Sequence, residues 1–107
     1  MISINKDNFE KEVVQSNTHV IMDFWASWCG PCKMMAPVFE DLSSSYAGKL
    51  KFVKVDTEEN PELAARYSIQ GIPSLVIVNK GAEVERIVGF TPKDALKQRI
   101  DQVLSKI

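Results

Sequence analysis

Apolar residues recur along the chain with two different periods, and the switches between them outline its elements. Ile2 to Ile4 forms a short strand candidate. Asp7, with Glu10 three residues on, has the spacing of a helix start, and Phe9, Val13 and Val14 fall on the inward face of that helix. Val20-Ile21-Met22-Asp23-Phe24-Trp25 is apolar but for one carboxylate, the pattern of a central strand covered on both faces, with His19 as its polar start. Met35, Val38, Phe39, Leu42 and Tyr46 then repeat at the one-face spacing of a helix that ends near Gly48. Pro37 lies inside that helix and predicts a kink, because it removes a backbone donor.

Lys51 to Asp56 reads as another strand. Asn60-Pro61 supplies a cap followed by proline at the first helical position, opening a short helix to Tyr67. Ser74–Val78 and Val84–Val88 flank Asn79-Lys80-Gly81-Ala82, a connection short enough for an antiparallel hairpin. Thr91-Pro92 repeats the cap-and-proline start, and Leu96, Ile100, Val103, Leu104 and Ile107 mark the buried stripe of a terminal helix. The order βαβαβα followed by ββα implies parallel pairing through helical crossovers, then antiparallel strands, and so an α/β fold with a mixed sheet and helices on both faces.

Composition narrows the class. A chain of 107 residues, 45% hydrophobic and 25% charged, suits one domain spanning 1–107. Such a domain buries about two-thirds of its unfolded surface and needs no disulfide to stay folded. Thirteen basic and fourteen acidic residues leave a net charge of -1, with no basic run. Neither nucleic acid nor membrane is therefore the expected partner; another protein is. No apolar run is long enough to span a bilayer, and Met1 leads into Ser3 and Asn5 without an export-signal core, so a reducing cytoplasm is the expected compartment.

In that compartment the two cysteines, Cys29 and Cys32, carry the chemistry. Thiol exchange needs one ionised sulfur to attack a target disulfide and a second within reach to resolve the mixed disulfide, and the Cys-x-x-Cys spacing supplies both. A bridge closing about four residues contributes roughly 2 kcal/mol on the chain-entropy model, a poor return for a structural staple. A structural zinc site takes four Cys or His ligands, whereas the chain has these two thiols and His19, so no metal is expected. Cys29 ends a strand-to-helix loop and Cys32 enters the helix. The free N–H groups and macrodipole at the helix start favour a thiolate at Cys29, the exposed end, leaving Cys32 as the shielded resolving thiol.

Other residues read less directly. Asp23 sits in an apolar strand, where burial should raise its pKa unless a lysine pairs with it as a structural ion pair. Lys54 reads as a solvated strand residue. Pro31 fits the first helical turn, where proline is tolerated. The Ile72-Pro73 bond should be trans, since only about 5–6% of X-Pro bonds in folded proteins are cis. Trp25 reads as core and Trp28 as a surface cover beside the nucleophile.

Trp25-Ala26-Ser27-Trp28-Cys29-Gly30-Pro31-Cys32-Lys33, preceded by Asp23 and followed by Gly71-Ile72-Pro73-Ser74 and Val88-Gly89, resembles the thioredoxin family over almost the whole chain. The resemblance implies the thioredoxin fold, a central mixed five-stranded sheet flanked by four helices, and reduction of protein disulfides through a redox-active Cys29–Cys32 disulfide. It implies no bound cofactor and a monomer that is regenerated by a thioredoxin reductase, with electrons drawn ultimately from NADPH or ferredoxin. It assigns Asp23 as the base that takes a proton from Cys32, through water, and Lys54 as a charge near that acid. It also reverses the expectation for Pro73, placing a cis-proline opposite the cysteines that leaves Ile72 free to pair with an extended substrate segment. Trp28, Gly30, Pro31, Ile72, Pro73, Val88, Gly89 and Phe90 would form the docking surface, although Phe90 reads equally well as core.

Gly30 and Pro31 also set direction: disulfide reductases of this family carry Gly-Pro between the cysteines, whereas isomerases and strong oxidants commonly have histidine in the second position. Reference potentials known for those proteins, about -270 mV for thioredoxin and about -180 mV for protein disulfide isomerase, differ by roughly 4 kcal/mol.

Overall fold

Ten short elements follow one another in the computed structural model, which describes residues 1–107. They are β1 (Ile2–Ser3), a π-helical turn (Glu10–Val14), β2 (His19–Trp25), α1 (Gly30–Ser43), a 3-10 turn (Ser44–Tyr46), β3 (Leu50–Asp56), α2 (Pro61–Arg66), β4 (Ser74–Asn79), β5 (Ala82–Val88) and α3 (Lys93–Leu104). The sheet order is β1-β3-β2-β4-β5. β1 and β2 pair parallel to β3, while β4 pairs antiparallel with both β2 and β5. This is the mixed five-stranded sheet of the thioredoxin fold, with the π-helical turn and three α-helices as its four helices.

β2 lies at the centre because its side chains are apolar on both faces. Val20, Met22 and Phe24 join Val53, Val55, Val76 and Val78 in a core covered by Phe9, Val13, Leu63 and Tyr67. Ile21 points the other way, with Phe52, Leu75 and Ile77, into a core filled by Met35, Phe39 and Leu42 of α1 and by Leu96, Ile100 and Val103 of α3. Fully burying one such side chain stabilises the fold by about 1.5–3 kcal/mol, so both helices are held on this face by packing. Strand alternation puts Asp23 on the same face as Ile21, under α1.

Several local expectations are corrected. The first helical segment is capped by Asn5, not Asp7: Asn5 Oδ1 accepts from the N–H groups of Asp7 and Asn8 (2.8 and 3.1 Å), and Asn8 Oδ1 accepts from Asn5 N–H (2.8 Å). Asn60 stands at the cap of α2, but its side-chain amide donates back to the Asp56 carbonyl (3.1 Å), so it caps nothing. Pro92 is itself the cap residue of α3, one position earlier in the helix than expected. The hairpin turn is tighter, formed by Lys80 (φ 54°) and Gly81 (φ 86°), because both residues accept the left-handed conformation that matches strand twist. Trp25 is only half-buried, and Ile107 is exposed at the end of its stripe.

Candidate functional site

The chain leaves the central strand at Trp25 and turns straight into α1. Ala26 accepts from the backbone N–H of Cys29 (3.2 Å), which sets Cys29 as the N-cap in extended conformation (φ -87°, ψ 113°). Its carbonyl accepts the first helical bond, from Lys33 N–H (3.2 Å). Its sulfur takes the place of a capping oxygen: Cys32 N–H donates to Cys29 Sγ at 3.2 Å. Pro31 follows Gly30 in the first turn and has no N–H to give, so the donor of Cys32 is the one aimed at the sulfur. The first turn carries no acidic side chain to oppose a thiolate.

The two cysteines are disulfide-bonded, their Cα atoms 5.2 Å apart. Both are buried, Cys29 at 4% and Cys32 at 3% exposure, so the expected contrast of an exposed and a shielded thiol is absent in this oxidised state. What separates them is position. Cys29 holds the cap with a donor on its sulfur, whereas Cys32 lies inside the first helical turn and lines the cavity that Asp23 also lines; both pack with Ala26.

Opposite the bridge lies the loop before β4. The Ile72-Pro73 bond is cis, as the resemblance implied and against the base rate. Ser74, a buried polar residue, donates its hydroxyl to the Gly71 carbonyl and closes this loop on itself. The Ile72 carbonyl stands 3.8 Å from Cys29 Sγ, and Ile72 takes part in no backbone hydrogen bond. Gly89, with φ 90°, donates its N–H to the Pro73 carbonyl (2.8 Å), a conformation that favours glycine. A Cβ on Gly71 would stand 3.5 Å from Val88, so the two loops share one surface. Trp28 (67% exposed), Val88 (60%) and Phe90 (38%) leave apolar area uncovered there, while Pro73 is buried beneath it. Phe90 is thus a surface residue and not core.

Beneath the bridge, Asp23 is 1% exposed and neither carboxylate oxygen has a hydrogen-bond partner. Burial pushes its pKa up to about 7, against the pull of Lys54. The structural ion pair is not formed: Lys54 is opposite Asp23 in register, but its ammonium lies 3.8 Å from Glu40 and 5.1 Å from the centre of the Trp25 ring. Asp23, Cys32 and Lys54 line one cavity of about 260 Å³ with Trp25, Lys33 and Ala36. A buried, unpaired carboxyl that titrates near neutrality, beside a sulfur that must lose a proton, can act as a general base.

Cys29, Gly30, Pro31, Cys32, Asp23, Lys54, Trp28, Ile72, Pro73 and Gly89 therefore converge on one end of the sheet. Sequence reading missed Ala36 on the cavity wall and Glu40 beside Lys54, although Cys32, Ala36 and Glu40 form an i, i+4, i+8 row on α1 that carries the signal. No cluster of three or more metal-ligating His, Cys, Asp or Glu side chains occurs.

Comparison with known proteins agrees with this geometry. A family model described as thioredoxin matches residues 1–102. The chain is 45% identical over 101 residues to thioredoxin 1 of Nostoc sp., covering 94% of each chain. It is 43% identical over 101 residues to a thioredoxin of Synechocystis sp., again covering 94% of each. A thioredoxin of Staphylococcus haemolyticus is 42% identical over 104 residues, covering 97% of this chain and 98% of the relative.

Proposed function

This chain belongs to the thioredoxin family and is a thiol–disulfide oxidoreductase, and we propose that it works as a protein-disulfide reductant with Cys29 as attacking and Cys32 as resolving thiol. The observation that carries the roles is the N–H of Cys32 donating to Cys29 Sγ at 3.2 Å. A hydrogen bond and a helix N-terminus both favour charge on Cys29, so its thiolate is the more populated of the two.

In the reduced protein, Cys29 thiolate attacks one sulfur of a target disulfide. A new S–S bond forms, the target bond breaks, and the other target sulfur leaves as a thiolate. Cys32 gives its proton to Asp23, through water, and attacks Cys29 Sγ. The Cys29–Cys32 bond re-forms, the second target thiolate leaves, and the target has gained two electrons and, with protonation, two hydrogens. The unpaired Asp23 carboxyl on the wall of the Cys32 cavity supports its role as base. Lys54, on the same wall, tunes the charge there.

The target segment lies along Ile72, whose backbone is unpaired, and beneath Trp28 and Gly89. Strand-like pairing gives sequence-tolerant affinity, which suits many disulfide-containing partners. Gly30-Pro31 between the cysteines supports the reducing direction, and a thioredoxin reductase fed by NADPH or ferredoxin restores the dithiol without a cofactor bound to this chain. We assign it to the cytoplasm as a single-domain monomer; no helix of the chain is long and apolar enough to cross a membrane.

Capture tests the roles. Cys32→Ser should accumulate mixed disulfides through Cys29, identified by mass spectrometry of the linked peptides. Capture through Cys32 in a Cys29→Ser protein, with none in Cys32→Ser, would reverse the assignment.

A further inference from the structure

Asp23 and Lys54 are register partners on the parallel strands β2 and β3, so their side chains rise on the same face of the sheet. Opposite charges so close on one face attract each other, yet both Asp23 oxygens are unpartnered. Lys54 is drawn outward instead. Its ammonium stands 5.1 Å from the Trp25 ring centre and 3.8 Å from Glu40 Oε1, and its side chain is 19% exposed. Glu40 comes from α1, two i+4 steps beyond Cys32 and one beyond Ala36, and both of those line the Asp23 cavity. The row that begins at the resolving cysteine thus ends on the carboxylate holding the lysine.

A flexible lysine stem between two carboxylates has two seats. In the outer seat its ammonium meets Glu40 and Trp25 and leaves Asp23 without a partner. In the inner seat it would pair with Asp23, and a paired carboxylate is a poor proton acceptor. The outer seat keeps the ammonium partly solvated, and the aromatic face adds a further attraction.

We propose that Glu40 is a positioning residue, which holds Lys54 in the outer seat and thereby keeps Asp23 unpaired and able to receive the proton of Cys32. The consequence for catalysis rests on the reading of Asp23 as the base. Around the cavity the charged groups facing Asp23 are Lys54 from β3 and Lys33 from α1, with Cys32 held in the disulfide; Asp56 lies further along β3 beside Trp25, and β4 presents only Leu75 opposite Asp23.

The test is the titration of the Asp23 carboxyl, followed by carbon NMR in the oxidised full-length protein, where no catalytic step intervenes. Glu40 is exposed and Gln is isosteric, so Glu40→Gln should fold. Its Asp23 midpoint should move to lower pH, and resolution of a mixed disulfide by Cys32 at pH 7 should slow about twofold as the base weakens. Removing a negative charge could also lower the midpoint directly, so the same change is made in Lys54→Met. There Glu40→Gln should have no further effect, because no ammonium remains to be released. An unmoved midpoint in Glu40→Gln, or an equal displacement in the Lys54→Met background, overturns the proposal. A midpoint that moves while the resolution rate does not upholds the positioning and sinks the base assignment instead.

Discussion

Asp23 and Cys32 line the same cavity of about 260 Å³, one from the central strand and the other from the helix above it. Asp23 belongs to the sheet and Cys32 to the helix, which suits the proposed role of the carboxyl as proton acceptor for that sulfur. That arrangement has a cost in stability, because a carboxylate without partners is buried in the core.

The cost depends on pH in a definite direction. Burial raises the folded-state pKa of Asp23 from its ordinary value near 3.8 to about 7. The unfolded chain therefore releases this proton at lower pH than the folded one. The stability linked to the protonated carboxyl is fully present below about pH 4 and is lost as pH rises through about 7, a total of about 4 kcal/mol for such a shift. Asp23→Asn has no proton to lose. Denaturant unfolding of the oxidised variant should match the wild type within about 1 kcal/mol at pH 4 and exceed it by about 2–4 kcal/mol at pH 8. The same variant should resolve mixed disulfides at least about tenfold more slowly at pH 7. A stability difference independent of pH would mean that the folded protein does not hold this carboxyl protonated.

Gly30-Pro31 is the proposed determinant of the reducing direction. Pro31 takes up a first-turn position without an N–H, leaving the Cys32 donor to Cys29. Histidine there adds a donor and a group that carries positive charge when protonated, both of which stabilise the Cys29 thiolate and hence the reduced form. Pro31→His should raise the reduction potential by on the order of 30 mV, read by equilibration with glutathione buffers. A potential that stays where it was would remove Pro31 from the residues that set direction.

How far these features were visible in the chain depended on whether a residue's neighbours in sequence are also its neighbours in space. The run Val20 to Trp25 announces a central strand because burial on both faces leaves no alternation, and the cysteine motif follows at once. Caps were less legible. Asp7, Asn60 and Thr91 all have cap chemistry, but Asn5 claims the donors at the first helical segment, Asn60 turns back to Asp56, and Pro92 takes the cap of α3. Small polar side chains have several nearby backbone partners, and only the tertiary path chooses between them. Equal burial of the cysteines was invisible for a similar reason: the Ile72 loop that covers Cys29 arrives from far along the chain. Asp23 was conspicuous as a lone charge, whereas Lys54 and Glu40 are ordinary until the β2–β3 register and the α1 row bring them together.

At the proposed docking surface the chemistry can be separated from recognition. Trp28 is 67% exposed and follows the turn out of β2, while Val88 and Phe90 bring further exposed apolar area from the other side of the bridge. An aromatic ring left in water at the rim of a site gains its burial energy only when a partner covers it. Trp28 makes no capping or hydrogen-bond contribution to Cys29, whose sulfur is held by the backbone of Cys32. Trp28→Ala should therefore leave the reduction potential within about 10 mV of the wild type, a difference well under 1 kcal/mol. It should lower kcat/KM for a protein disulfide about tenfold, through loss of roughly 1.4 kcal/mol of binding in the transition state. Reduction of a small aromatic disulfide, which is too short to reach the rim, should change by less than about twofold. Equal losses on both substrates would show that Trp28 acts on the thiol and not on the partner. In that case the exposed ring would belong to the chemistry, and recognition would rest on the unpaired backbone of Ile72 alone.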